Sequence, residues 1–302
     1  WCLKFYDKAG WNPMNKTEIL KYLLLILIAA AMFLPFFWLV SASLQKYEEI
    51  ISIPLTWIPS IPQWSNYLEV LTNSNVKLGL YFKNSFIVST MITVLVLLTS
   101  SLAGYALAKL TFPGRDFFFN FILSTMMFPT FIFLIPVYYI LRKFPLLGGN
   151  NLFGQGGSGA LTSYAGLVLP FMVSAWGIFL MRQFMMNIPD DFLDAARIDG
   201  AGEFRIFTVI IAPLVKPAFV TLAIFQFISN WNAFLWPLIV TTSAQYLMTL
   251  PVGLRMMVTA YSTSTVQNRL FAATVLGIIP TIIVFLALQR HYVKGITLSG
   301  IK

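Results

Sequence analysis

The sequence predicts an all-α integral membrane protein with six transmembrane helices and both termini on the cytoplasmic side. Composition is the first reason. Hydrophobic residues make up 58% of the 302 and charged residues 10%, against roughly 45–50% and ~25% in soluble domains. The 20 Lys+Arg and 11 Asp+Glu are too few to cover a globule of this length with a solvated surface. The second reason is where those charges fall. Six stretches free of them are long enough for the ~20 residues that cross about 30 Å of hydrocarbon. The third is what is missing. The single cysteine, Cys2, excludes an internal disulfide, and the single histidine, His291, excludes a His-based metal centre. No metal site and no nucleic-acid partner are expected, because the +9 balance gathers at the ends of apolar runs, as membrane anchors do.

The spans are expected within 22–45, 84–108, 117–141, the later part of 144–181, the earlier part of 217–254, and 270–289. The fourth should begin near Tyr164, because Gly148, Gly149, Asn150, Asn151 and Gly154 to Gly159 read as loop. The stretch 50–68 is also uncharged, but Pro54, Pro59 and Pro62 withhold backbone donors, so it is expected to be an outer loop. The first span is too long for a removed signal peptide. With six crossings, one side carries Lys4, Lys8, Lys16, Lys21, Lys109, Arg115, Arg182, Arg197, Arg205, Lys216, Arg290, Lys294 and Lys302, and the other Lys46, Lys77, Lys83, Arg142, Lys143, Arg255 and Arg269. The richer side is cytoplasmic by the positive-inside rule. The chain then divides into a cytoplasmic segment 1–21, a first helix with its outer loop 22–83, a core 84–290, and a cytoplasmic tail 291–302.

The spans hold no ionisable residue, which argues against coupling to protons through a buried carboxylate. The chain lacks a G-x-x-x-x-G-K-[ST] phosphate loop, so no cofactor is expected on it, and any ATP and Mg²⁺ would be bound by a separate subunit. Five of the eleven acids, Asp190, Asp191, Asp194, Asp199 and Glu203, lie in one stretch between the fourth and fifth spans. Pro189 with Asp190 and Asp191 predicts a helix start. Gly200 and Gly202 predict its end, and Glu203 opens a second helix running to Pro213. Phe192, Ala195, Ala196 and Asp199 fall on one face of the first helix, with Asp191, Asp194 and Arg197 beside it. Two readings fit: a docking knob for another protein, or an amphipathic helix lying on the membrane.

The motif Asp194-Ala195-Ala196, Asp199-Gly200-Ala201, Ile210 and Pro213 resembles the EAA loop of the membrane subunits of bacterial ATP-binding-cassette importers, with Asp194 in place of the usual glutamate and Ala212 in place of leucine. Asn84-Ser85, Ala103 to Lys109, Phe112-Pro113-Gly114-Arg115, Asn230 to Leu238, Thr249 to Leu254 and Lys294-Gly295-Ile296-Thr297 extend the resemblance over about residues 20–302, to the carbohydrate branch and the second permease of maltose-type importers. The resemblance implies a type I importer permease fold in the bacterial inner membrane. It implies a homologous permease as heterodimer partner, two cytoplasmic ATPase subunits, an extracytoplasmic binding protein, and a sugar or oligosaccharide as solute. The loop 187–213 would seat on the ATPase through Asp190, Asp191, Asp194, Ala195, Ala196, Arg197, Asp199, Gly200 and Glu203. The chain itself would be no enzyme. A secondary transporter or channel, or a membrane assembly component, is the alternative.

Ser100, Gly104 and Ala108 form a small-residue stripe that predicts close helix contact. Gln226, Ser229, Asn230 and Asn232 among Trp231, Phe234 and Trp236 fit either a sugar pathway or hydrogen bonds between helices. The polar loop 241–269 fits either a contact with the binding protein or a plain connector. Lys294 and Lys302 fit either a contact regulating the ATPase or ordinary positive-inside residues. Pro129, Pro136, Pro170 and Pro280 are expected to kink their spans. Seven basic and three acidic residues on the outer side raise an acidic oligosaccharide, such as a uronate oligomer, or an acidic binding protein.

Overall fold

A computed structural model of the chain describes residues 16–72, 77–260 and 267–299, and these are helical with no strand among them. Two compact units are distinguished, 1–69 with 261–275, and 70–260 with 276–302.

In the first unit, α1 (Lys16–Ser43) runs 28 residues through Pro35. Its residues from Lys16 to Phe37 are exposed on every face. An apolar helix bare all round is one whose solvent is lipid or another membrane helix. The segment after it holds α2 (Tyr47–Ile50) and α3 (Ser65–Thr72), joined by an irregular stretch carrying the three prolines. That stretch is tied to the end of α1 by amides. The buried Gln45 side chain donates to the Thr56 carbonyl at 2.7 Å, and Asn66 donates to the Ser43 and Gln45 carbonyls at 2.9 and 3.2 Å. Arg269 pairs with Glu69, and Asn268 donates to the Asn66 side chain.

The second unit is built on α4 (Leu78–Lys109), 32 residues without a proline. After it come α5 (Arg115–Thr125), α6 (Leu134–Arg142), α7 (Tyr164–Val168), α8 (Ala175–Met186), α9 (Asp191–Ile198), α10 (Glu203–Ile206), α11 (Ala212–Leu214), α12 (Lys216–Trp231), α13 (Leu235–Thr241), α14 (Leu250–Ala260) and α15 (Gln267–Ser299). The core lies where α4 packs between α8 and α12, with Val88, Ile92, Val96, Met181, Met185 and Leu222 buried. The small-residue stripe makes this approach possible. A Cβ on Gly104 would stand 2.8 Å from the Met181 Cβ, and one on Gly177 would stand 2.5 Å from the Ser100 hydroxyl.

Three helices are long and apolar enough to cross a membrane unbroken: α1, α4 and the Asn268–Gln289 part of α15. Three bent helix pairs also pass in length and composition, and would raise the number to six if each is one span: Arg115–Thr125 with Thr130–Arg142 at 89°, Tyr164–Phe171 with Ala175–Met186 at 47°, and Glu203–Leu214 with Lys216–Trp231 at 79°. The described chain therefore makes up to six crossings. Pro129 and Pro170 sit at or beside two of the bends as expected, because each removes a donor and crowds the preceding turn. Pro280 lies inside continuous helix. The third bend, at Val215, lies outside the expected set. It follows a π-helical turn at Phe207–Ile211, which Pro213 favours by having no N–H to give the Val209 carbonyl.

One expectation needs correction. The segment 241–269 is not simply a polar loop. It carries α14, and Leu247, Met248, Thr249 and Leu250 are buried where this stretch packs back on α4, while Thr241 is buried at the end of α13. Within the expected tail 291–302, α15 continues to Ser299. Lys302 and the side chain of Lys294 lie outside the described residues, as do 261–266.

Candidate functional site

The segment 187–213 folds as two helices with a tight elbow. Asp190 is the N-cap residue of α9, but its carboxylate does not cap the helix; it accepts a hydrogen bond from Lys109 Nζ at 2.6 Å. The same ammonium donates to the Ile188 carbonyl at 2.5 Å and is itself almost wholly buried at the C-terminal end of α4. At the other end Gly200 has φ +78, a conformation that suits glycine. Its N–H bonds the Arg197 carbonyl, and the Ala201 N–H bonds the Ala196 carbonyl at 2.9 Å. This is a Schellman end, which satisfies carbonyls the helix would otherwise leave open. Gly202 then caps α10, whose first residue is Glu203.

Charge pairing fixes the elbow. Arg197 donates through Nε to Glu203 at 2.8 Å and through a terminal nitrogen to Asp194 at 3.0 Å. The other Glu203 oxygen accepts from the Tyr105 hydroxyl of α4 at 2.5 Å. Arg197 first, and Tyr105 second, hold the Glu203 carboxyl below its ordinary range. Tyr105 is buried and its ring leans on Phe207 at 5.4 Å. Of the nine residues expected to seat on a partner, Asp190, Asp194, Arg197 and Glu203 are thus engaged within the chain. Asp191 and Asp199 make no ion pair among the described residues.

The exposed face differs from the expected one by one residue. Phe192, Ala195, Ile198 and Asp199 are exposed, while Ala196 is partly buried and packs with Leu193 against the core. Leu193, 1% exposed, pins α9 to the rest of the unit. Ile198 at 87% and Phe204 at 73% stand out as large apolar side chains with no cover. The helical spacing gave the face of Phe192 and Ala195, but it could not say which side of Ala196 would meet the core.

The four polar residues of the fifth span do not form one cluster. Gln226 donates to the Ser174 hydroxyl at 3.2 Å across to the start of α8, and Asn230 donates to the Gln226 carbonyl at 2.7 Å on its own helix. Asn232 donates to the Ile228 carbonyl, and Ser229 and Asn232 are exposed. Ser174 is the N-cap of α8 and accepts from the Gly177 N–H, so Gln226 is anchored at the 47° break in the fourth span.

Residues with no role assigned from the sequence organise the opposite end of α4. The buried Asn84 donates to the Tyr246 and Met248 carbonyls at 2.8 and 2.9 Å and accepts from the Tyr164 hydroxyl at 2.7 Å. The next residue, Ser85, accepts the Leu250 N–H at 2.7 Å. A polar pair opening an apolar span was the available signal. Among the described residues there is no group of three His, Cys, Asp or Glu that could hold a metal.

Residues 100–298 match the family described as binding-protein-dependent transport system inner membrane component. The chain is 36% identical over 270 residues to the arabinooligosaccharides transport system permease protein AraQ of Bacillus subtilis (strain 168), covering 89% of this chain and 90% of the relative. It is 36% identical over 261 residues to the sn-glycerol-3-phosphate transport system permease protein UgpE of Yersinia pestis bv. Antiqua (strain Antiqua), covering 85% and 87%. Among solved structures, a chain of a bacterial ABC transporter involved in the import of the acidic polysaccharide alginate aligns with TM-score 0.76 and 24% identity, over 94% of this chain and 100% of that one.

Proposed function

Since the chain belongs to the family of binding-protein-dependent transport system inner membrane components, we propose that it is one of two permease subunits of an ATP-driven importer, bound to two ATPase subunits by the elbow 187–213. It is a multi-pass membrane protein of the sugar ABC transport permeases. Both termini face the cytoplasm of a bacterial cell, and a binding protein delivers solute from outside. The observation that carries the coupling role is the elbow itself: an exposed face of Phe192, Ala195, Ile198 and Asp199 on a helix flanked by two ties to α4, at Asp190 before it and at Glu203 after it. A patch held this firmly passes a push to the span it is tied to instead of absorbing it. ATP and Mg²⁺ bind the partner. Closure of the ATPase dimer moves the elbow, the pathway opens outward, and after hydrolysis it opens inward.

Gln226 and Asn230 at the break in the fourth span supply amides suited to sugar hydroxyls. For the solute we favour an acidic oligosaccharide. The support is the exposed basic side chains Lys46, Lys77, Lys83, Arg142, Lys143 and Arg255 on the outer side. The solved transporter of similar fold imports an acidic polysaccharide. Reconstitution in proteoliposomes with companion permease, ATPase and binding protein tests the whole reading. Uptake should require ATP and Mg²⁺, and a labelled uronate oligomer should enter faster than a neutral arabino-oligosaccharide or glycerol phosphate. Uptake that proceeds equally without ATP returns the secondary-transporter alternative, and preference for the neutral sugar removes the acidic solute.

A further inference from the structure

We propose that α4 is the rod through which arrival of the binding protein outside is reported to the ATPase inside, with Asn84 and Tyr105 as the positioning residues at its two ends. The inference rests on the ATP-coupled reading above. At the inner end, Tyr105 and Lys109 are one helical turn apart and grip the elbow on both sides of α9, Lys109 through Asp190 and the Ile188 carbonyl, Tyr105 through Glu203. At the outer end, Asn84 and Ser85 grip three backbone points of the segment 246–250 and the Tyr164 hydroxyl at the start of α7. Tyr246 in turn donates to the Thr162 carbonyl, which joins that segment to the loop before α7.

Asn84 and Tyr105 are 21 positions apart, about 32 Å at 1.5 Å per residue. That stretch has no proline, and α4 is unbroken where three apolar helix pairs bend by 47 to 89°. A straight helix packed on both sides transmits a displacement that a broken span would take up at its hinge. Apart from the exposed Lys109–Asp190 pair, the gripping hydrogen bonds lie in buried or part-buried settings, where a lost partner is costly. Removing either grip should therefore disconnect the ends without dissolving the bundle.

The test uses the complete transporter in nanodiscs, with hydrolysis measured with and without liganded binding protein. Tyr105→Phe removes one hydroxyl and Asn84→Ala one amide. Each should lower the ratio of stimulated to basal hydrolysis about tenfold, the scale of one hydrogen bond to a charged or buried group. The double variant should lower it no further than either single, because the two act on one rod. Ratios unchanged from wild type, or losses that multiply in the double variant, overturn the proposal. So does failure of Tyr105→Phe to co-purify with its partners, which would make that residue structural. A wild-type complex that hydrolyses no ATP would instead sink the functional reading on which the rod depends.

Discussion

Gly79 and Gly104 lie on the same helix and should answer to alanine in opposite ways. A Cβ at Gly79 meets nothing within 4 Å, so Gly79→Ala restricts the unfolded chain and should stabilise by about 0.4–1 kcal/mol. At Gly104 the same atom would stand 2.8 Å from Met181 Cβ and 3.0 Å from the Arg182 backbone nitrogen. Gly104→Ala should cost about 1–3 kcal/mol of overpacking. Thermal unfolding in detergent reads both, and the reverse order would refute the packing. Glu203 gives a pH prediction at the same scale. Its folded pKa lies below the ordinary value of 4.5 because Arg197 and Tyr105 bond the carboxylate. The contribution is therefore complete above the unfolded pKa and lost as pH falls through the folded one. Protection factors for hydrogen exchange over 190–203, measured against the intrinsic rate at each pH, should be the same at neutral pH and at about pH 6, and should fall only on acidification below the ordinary glutamate range. Protection already lost near neutrality would mean that Glu203 does not hold the elbow.

At the scale of elements, the elbow depends on one backbone conformation. Gly200 has φ +78 with open space around it, so a side chain there meets strain and no clash. Gly200→Val should cost about 1–2 kcal/mol and reorient α10, whereas Gly200→Asn should be tolerated, since asparagine visits that region more readily. Uptake by the two variants in the assembled transporter separates them, and equal uptake would remove the role of the turn. This turn was legible in the sequence, as were the helix start at Asp190 and the span start near Tyr164, because glycine, proline and capping residues act locally. The break at Val215 agrees with a second helix ending at Pro213 before the fifth span, but the π turn ahead of it was not legible, since no single residue signals how the carbonyls will be shared. Leu247 and Leu250 sit in a stretch that reads as loop by its neighbours and are buried because that stretch packs back on α4. That fact belongs to the partner element and not to the segment.

At the scale of the whole molecule, the proposed topology puts six exposed basic side chains on the outer side. Under that reading, docking of a binding protein there should weaken with salt, since charges this exposed are screened over about 10 Å at 0.1 M. Stimulated hydrolysis across a salt titration checks this, and a flat response would leave the outer charge without a role in docking. The site was legible unevenly. Asp191 and Asp199 stand where an acidic docking face was expected, but Asp194, Arg197 and Glu203 are spent on one another and on Tyr105, a contact across 98 positions of sequence that spacing within the loop cannot reveal.

The bare surface of α1 has a consequence for how the chain can vary over evolutionary time. From Lys16 to Phe37 every residue is exposed, so each apolar position there should accept any other apolar residue and refuse a charge. Along α4 the pattern should invert, with sharp intolerance at Asn84, Ser85, Gly104 and Tyr105 even to residues of similar polarity. A saturation library scored for uptake would then draw the boundary between helix dissolved in lipid and helix built into the machine.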